Sequence, residues 1–118
     1  MIRKIMIADD DPDILDSLQQ ILESEGYAVE TSANGETVDK IHKFLPDLLL
    51  LDIWMSGIDG RDICKALKSD PKTQHIPIIM VSANNDSKRI AKSAGADDFV
   101  AKPFDMHEIL AKVAQHLE

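Results

Sequence analysis

The chain has 118 residues, enough for one domain with a single hydrophobic core, and 44% of them are hydrophobic, an ordinary share for a globular protein. Thirteen basic against 21 acidic side chains give a formal charge of −8, which argues against duplex nucleic acid or an anionic membrane surface as a direct partner. The lone cysteine, Cys64, allows no internal disulfide, and no apolar run has the length of a membrane span. We therefore expect a single cytoplasmic domain over residues 1–118.

Five predicted strands alternate with five predicted helices along the chain. The strands are short apolar runs, and the helices show apolar residues three or four positions apart. The predicted strands are residues 2–8, 27–31, 47–52, 77–82 and 98–101. The first predicted helix runs from Pro12 to Gly26, the second ends before Pro46, and the third passes through Ile63 and Leu67 after a loop with Gly57 and Gly60. The fourth predicted helix is short and ends at Gly95, and the closing helix runs from Met106 to Leu117. This order is typical of an α/β fold, a doubly wound parallel sheet with helices on both faces.

Polar side chains follow four of the predicted strands at their carboxyl ends. The first strand leads into three aspartates at 9–11, and the third, a run of four leucines, ends in Asp52. The fourth ends in Ser82, and Lys102 follows the fifth. Doubly wound sheets bind their ligands at this edge. Clustered carboxylates repel one another without a cation, and their oxygen atoms suit magnesium better than zinc.

Each of these residues also has an ordinary structural role open to it. Asp11 is well placed as the N-cap of the first helix, and Asp52 could cap the turn that follows it. Ser82 could be a turn hydroxyl and Lys102 a surface lysine. A functional site is favoured because the residues lie at the ends of different strands.

Four segments of the sequence resemble the receiver domain of bacterial two-component response regulators, the CheY-like family. They are IMIADDDPDIL, DLLLLDIWMSGIDG, IPIIMVSA and AGADDFVAKPF, and the resemblance extends over essentially all 118 residues. It implies a flavodoxin-like fold whose five strands lie in the order 2-1-3-4-5. It also implies a signalling switch that catalyses its own phosphotransfer and slow dephosphorylation and is not a turnover enzyme.

The resemblance assigns the phosphoryl chemistry to three residues. Asp52 would accept a phosphoryl group from a sensor histidine kinase or a phosphotransfer protein. Lys102 would supply positive charge, and Ser82 would donate a hydrogen bond to the phosphoryl group. Pro103, after the lysine, stands where the family has a cis proline.

The resemblance also implies a magnesium site beside the acceptor. Asp9 and Asp10 correspond to the acidic pair that organises the metal, with Asp10 as the direct ligand. Asp52 and the backbone carbonyl of Trp54 would complete the protein's ligands.

The switch implied by the resemblance runs from Ser82 to Phe99. Ser82 would move toward the phosphoryl group, Phe99 would swing inward, and the surface of the fourth helix, fifth strand and fifth helix would change to control an output domain or partner protein. Charged residues on that surface suggest a phosphorylation-dependent homodimer, in which the basic side chains of the fourth helix face Asp97 and Asp98. These residues are Lys88, Arg89, Lys92, Asp97 and Asp98.

Three positions depart from the commonest family sequence. Ser56 replaces a proline, which leaves its loop less constrained, and Trp54 places a bulky ring beside the pocket, where it would tune access of water and phosphodonor. Phe99 replaces a tyrosine and keeps the ring without the hydroxyl. The spacing of the four histidines does not suit a metal site, and we expect them at or near the surface with no phosphotransfer role; they are His42, His75, His107 and His116.

Other functions compete with this interpretation. A haloacid-dehalogenase-type phosphatase also pairs an aspartate with magnesium, but it needs a second aspartate two residues later, where this chain has Trp54. A flavin carrier shares the topology, but the acidic run at 9–13 would repel the flavin phosphate. A receiver-shaped scaffold that is never phosphorylated is a third alternative. The sequence leaves open the kinase, the output and whether the chain acts alone or belongs to a longer regulator.

Overall fold

The computed structural model describes residues 2–33, 36–55, 57–83 and 86–117. The main sheet contains β1 (Lys4–Ala8), β2 (Ala28–Ser32), β3 (Leu48–Asp52), β6 (Ile78–Ser82) and β7 (Asp98–Ala101). Two short strands, β4 (Trp54–Met55) and β5 (Ile58–Asp59), form a separate antiparallel pair. The helices are α1 (Pro12–Ser24), α2 (Thr37–Phe44), α3 (Gly60–Lys68), α4 (Ser87–Ala94) and α5 (Met106–Leu117). Within the described ranges, none of them is both long enough and apolar enough to cross a bilayer.

The main sheet is parallel throughout and has the strand order β2-β1-β3-β6-β7. This is the predicted order 2-1-3-4-5 of the five core strands, so the doubly wound fold is confirmed. The chain places β2 on one side of β1 and then places β3, β6 and β7 on the other side, so the order of the strands reverses between β1 and β3. The paired residues of β1 and β3 run from Ile5 and Leu48 to Ala8 and Leu51. The carboxyl ends of β1 and β3 therefore meet at the switch point, where this class of sheet binds ligands.

Two apolar layers bury the sheet between helices. One layer packs between the sheet and α2, α3 and α4, and its members include Met6, Leu49, Leu51, Cys64, Leu67 and Met80. The other packs between the sheet and α1 and α5, and its members include Ile5, Leu18, Leu50, Ile79, Ile109 and Val113. Alternate residues of β3 belong to opposite layers, and all five residues of β3 are buried. This explains the run of four leucines, because a strand covered on both faces has no solvent side.

The ends of α1 follow the signals in the sequence. The carboxylate of Asp11 accepts hydrogen bonds from the backbone N–H of Asp13 at 2.9 Å and of Ile14 at 3.5 Å, so Asp11 is the N-cap. The helix ends before Gly26, whose φ of 93° is a left-handed conformation that favours glycine. Four of the five core strands differ from the predicted ones by one or two residues at an end, and β7 matches the predicted strand at 98–101.

The segment between β3 and α3 is more ordered than the sequence predicts. The predicted loop contains the β4–β5 hairpin, in which Trp54 pairs with Asp59 and Met55 with Ile58. Strands of two residues are too short to show an alternating pattern, so periodicity could not reveal them. The predicted effect of Ser56 on this loop lies outside the described residues.

Candidate functional site

A cleft of about 260 Å³ opens at the carboxyl edge of the sheet. The residues that line it are Asp10, Asp11, Asp52, Trp54, Ser82, Ala83 and Lys102. The carboxylate of Asp9 reaches the same place through its contact with the side chain of Lys102. The fold therefore brings the predicted acceptor, the predicted metal ligands, the hydroxyl and the lysine to one place.

Lys102 connects two of the carboxylates. Its Nζ lies 3.0 Å from Oδ2 of Asp9 and 3.6 Å from Oδ2 of Asp52. Asp9 and Asp52 are buried, and Lys102 is only partly exposed. Asp9 also accepts a hydrogen bond from the backbone N–H of Asp11 at 2.9 Å, which orients its carboxylate. The ammonium group of Lys102 therefore lies among three carboxylates, those of Asp9, Asp10 and Asp52.

The excess negative charge acts on Asp52. Burial raises the pKa of Asp52 and the charge of Asp9 raises it further, while Lys102 and the backbone N–H of Trp54 lower it. The net effect is a pKa of about 6 against an ordinary 3.8. Folding therefore costs free energy when this carboxylate is ionised.

The acidic cluster has the composition of a site for a hard cation. Asp9, Asp10 and Asp52 each offer a carboxylate oxygen, and these atoms lie within 4.8 Å of one another. Oxygen-only donors at this separation suit magnesium, which binds through one or two carboxylates and keeps several water ligands. A divalent cation would also offset the repulsion that raises the pKa of Asp52. The residues present fit magnesium.

The sheet register places Ser82 and Lys102 beside each other. Ser82 is the last residue of β6 and is buried, and it pairs with Ala101 of β7. The backbone N–H of Lys102 continues this ladder by donating to the carbonyl of Ser82 at 2.9 Å. The peptide bond between Lys102 and Pro103 is cis, as the resemblance implies.

Gly60 supports the acceptor strand in a way that sequence reasoning missed. Its backbone N–H donates to the carbonyl of Ile53 at 2.7 Å. A Cβ at this position would lie 2.5 Å from the backbone oxygen of Asp52, which no side chain could avoid. The start of α3 can approach the end of β3 only with glycine here. The sequence signal for this role is the second glycine of the segment GIDG, where the sequence pattern predicts only a loop.

Trp54 stands at the rim of the cleft. Its backbone N–H donates to Oδ1 of Asp52 at 3.3 Å, and the residue is 40% exposed. The role of its carbonyl as a metal ligand stays a prediction.

Phe99 lies outside this cleft, on a second and larger one. That cleft, of about 580 Å³, lies between α4, β7 and α5 and is lined by Lys88, Ala91, Lys92, Ala96, Asp97, Asp98, Phe99, Ala101, Glu108 and Lys112. The expectation that Arg89 faces Asp97 and Asp98 is wrong. Arg89 lies in a different groove, with Arg61 and Lys65, because its place on α4 turns it toward α3.

The two aspartates of this larger cleft already have partners within the chain. Asp97 accepts hydrogen bonds from Nζ of Lys68 and from the backbone N–H of Ile78, both at 2.8 Å. Asp98 lies 2.9 Å from both Nζ of Lys112 and Nε2 of His116. The histidines are at the surface or partly buried, as expected.

Comparison with known proteins points to one family. The response regulator receiver domain family matches residues 5–114. The phosphate regulon transcriptional regulatory protein PhoB of Rhizobium meliloti (strain 1021) is 38% identical over 116 residues, which are 96% of this chain and 51% of that protein. The chain therefore spans about half the length of this relative.

Solved structures of similar proteins have the same fold. The CheY-like response regulator receiver domain protein of Methanospirillum hungatei JF-1 has a TM-score of 0.91 at 33% identity, over 99% of this chain and 94% of that one. The chemotaxis response regulator CheY4 of Vibrio cholerae has a TM-score of 0.91 at 28% identity, over 99% of this chain and 100% of that one. The chain thus belongs to the response regulator receiver domain family and is a signalling receiver of the two-component type.

Proposed function

We propose that Asp52 is the phosphoacceptor of this receiver domain and that residues 1–118 form that one domain. The observation that carries the proposal is the position of its carboxylate. Asp52 ends the central strand, is buried beside two further acids, and has Nζ of Lys102 at 3.6 Å. A rigid strand holds the nucleophile in one place, which is what an in-line displacement requires.

The transfer breaks one bond and forms one bond. An oxygen of Asp52 attacks the phosphorus of a phosphohistidine on the donor, a P–O bond forms, and the P–N bond breaks with its electron pair returning to the imidazole. Lys102 holds positive charge beside the incoming phosphoryl oxygens, and the hydroxyl of Ser82 donates a hydrogen bond to one of them. Slow attack by water on the acyl phosphate later releases inorganic phosphate and restores Asp52.

The metal in this proposal is magnesium, held by Asp9, Asp10, Asp52 and the carbonyl of Trp54. Bound there, it neutralises negative charge on the acids and on the phosphoryl group. Asp10 is proposed as the direct ligand. Asp9 orients Lys102 through their 3.0 Å contact.

The output of the switch is proposed to pass through Ser82 and Phe99 to the α4–β7–α5 surface. A phosphoryl group can shift the balance between two states only through contacts that it makes in one of them. Phosphorylation-dependent dimerisation through this surface remains part of the proposal. Asp97 and Asp98 would have to exchange their present partners for those of a second copy, so such a dimer gains little from these charges alone.

The proposed partners are a sensor histidine kinase or phosphotransfer protein and a downstream protein or output domain. A cytoplasmic setting, with no direct contact to membrane or nucleic acid, fits the lone cysteine and the charge of −8. The named relative is a transcriptional regulator, but this chain spans only about half of it.

Labelling with a small phosphodonor tests the proposal. Incubation with acetyl phosphate and magnesium should add one phosphoryl group, seen in the intact mass, and Asp52→Asn should abolish the addition. Asp13→Asn removes an exposed acid from the first turn of α1 and should be labelled like the wild type. Equal labelling of Asp52→Asn would overturn the assignment.

A further inference from the structure

The indole ring of Trp54 contacts an arginine that does not line the acceptor cleft. The guanidinium of Arg61 lies over the ring, with 4.8 Å between its Cζ and the ring centroid. Trp54 lines the cleft of Asp52, whereas Arg61 faces the groove between α3 and α4. The contact therefore links the rim of the cleft to a residue outside it.

Arg61 is itself held by a carboxylate. Its Nε donates to both oxygens of Asp59 at 3.0 Å, and its Nη2 donates to Oδ2 at 2.6 Å. This is the two-pronged geometry that a planar guanidinium gives and an ammonium does not. The pair lowers the pKa of Asp59 and raises that of Arg61.

The backbone fixes all three partners at once. Asp59 pairs with Trp54 across the β4–β5 hairpin and is also the N-cap of α3, where it accepts the backbone N–H of Arg61 at 2.9 Å. Asp59, which lies opposite Trp54 in the hairpin, thus also holds Arg61, whose guanidinium covers the Trp54 ring. Because the hairpin begins two residues after Asp52, the position of the ring relative to the acceptor is set by this arrangement.

We propose that Arg61 is a positioning residue, which with Asp59 holds the Trp54 ring at the rim of the Asp52 cleft and so limits entry of water and small phosphodonors. The inference rests on the proposed function of Asp52. Access to a cleft of about 260 Å³ depends on a ring of this size at its rim. A ring released from Arg61 samples other rotamers, and the cleft is open for a larger share of the time.

Two rates and one spectroscopic signal test this role. In Arg61→Met, the acyl phosphate should hydrolyse faster and acetyl phosphate should label Asp52 faster, each by roughly two- to fivefold, the factor that one exposed cation–π contact corresponds to. Acrylamide should quench Trp54 fluorescence more strongly, and the signal is specific because the chain has one tryptophan. Asp59→Asn keeps an N-cap but loses the ion pair, so it should act in the same direction.

Matched variants distinguish loss of the Arg61–Trp54 contact from loss of a positive charge. Lys65→Met removes a cation from the same helix and groove and should leave both rates and the quenching unchanged. In a Trp54→Ala background, Arg61→Met should have no effect, because Arg61 acts through the ring. Arg61→Lys keeps the charge and should resemble Arg61→Met in both rates.

The possible results distinguish the two proposals. A phosphorylated chain in which Arg61→Met and Asp59→Asn change neither rate overturns the role of Arg61 and leaves that of Asp52 intact. An effect of Arg61→Met that persists without Trp54 also overturns it. A wild-type chain that takes no phosphoryl group overturns the proposed function and this role with it.

Discussion

Asp52 and Asp98 are the same residue type at two strand ends, yet the fold treats them in opposite ways. Both side chains are largely shielded from water, with 6% and 22% of their surface exposed. Burial and the charge of Asp9 raise the pKa of Asp52 to about 6. Burial also acts to raise the pKa of Asp98, but hydrogen bonds from His116, Lys112 and the backbone of Phe99 outweigh it and lower the pKa to about 2.

The difference lies in what surrounds each carboxylate. Asp98 lies 2.9 Å from each of two basic side chains of α5, so its ionised form stabilises the fold. Asp52 shares Lys102 with Asp9 and has Asp10 nearby, so its ionised form destabilises the metal-free fold. Strain of this kind is common at functional sites, whereas a satisfied ion pair is typical of a structural one. The comparison separates the site from its scaffold on physical grounds.

The largest expected effect comes from neutralising Asp52. Its pKa lies above the ordinary 3.8, so the folded state binds the proton more tightly and stability falls as pH rises from about 4 to about 6. Asp52→Asn removes this cost and should raise the free energy of unfolding of the metal-free protein by about 3 kcal/mol at pH 7.5. Near pH 4 the gain should vanish. Urea denaturation in EDTA at both pH values measures it.

A control for the loss of one negative charge is Asp39→Asn. Asp39 is an exposed acid in the first turn of α2, and its neutralisation should change stability by less than ~1 kcal/mol at either pH. A gain from Asp52→Asn that is equally large at pH 4 would mean that the charge of Asp52 is not the cause.

Magnesium should offset the same repulsion among the carboxylates by binding to them. A ligand that binds only the folded state at 100 times its dissociation constant stabilises it by about 2.7 kcal/mol. We expect magnesium to raise the melting temperature of the wild type and to have a much smaller effect on Asp10→Asn. If magnesium and calcium both leave melting and Trp54 fluorescence unchanged, the metal site is wrong.

Neutralising Asp98 should have the opposite sign. Its pKa lies below the ordinary value, so its contribution to stability is complete above about pH 4 and is lost as pH falls toward 2. Asp98→Asn should lower the free energy of unfolding by about 1–2 kcal/mol at pH 7.5, less than the pKa shift implies because solvent screens a partly exposed pair. Urea titrations of both mutants under identical conditions should therefore move the midpoint in opposite directions.

The sequence predicted most of the site because parallel topology leaves few choices. Once β3 and β6 are recognised as buried strands, Asp52 and Ser82 must lie at one edge of the sheet. Lys102 follows from the same logic, since it comes directly after β7. No side-chain geometry was needed for these assignments.

The features that the sequence did not reveal depend on contacts between side chains. The stacking of Arg61 on Trp54 requires the hairpin, and the hairpin is too short to leave a pattern. The partners of Asp98 lie 14 and 18 residues away on α5, so they depend on how that helix packs. Arg89 lies on a different side of α4 from Lys88 and Lys92, because helix geometry separates adjacent residues by about 100°.

The smallest expected effect separates the two partners of Asp98. Lys112 brings a full charge at neutral pH, whereas His116 brings a charge only when it is protonated, and a charge-assisted hydrogen bond is about twice as strong as a neutral one. Lys112→Met should cost about 1 kcal/mol at pH 7.5, and His116→Gln, which keeps a donor, about 0.5 kcal/mol. Salt separates them further, because raising NaCl from 0.15 to 1 M screens the lysine pair and should shrink the cost of Lys112→Met more than that of His116→Gln. Equal costs with equal salt dependence would show that the two side chains support Asp98 in the same way, and the low pKa of Asp98 would then reflect the number of its donors and not their charge.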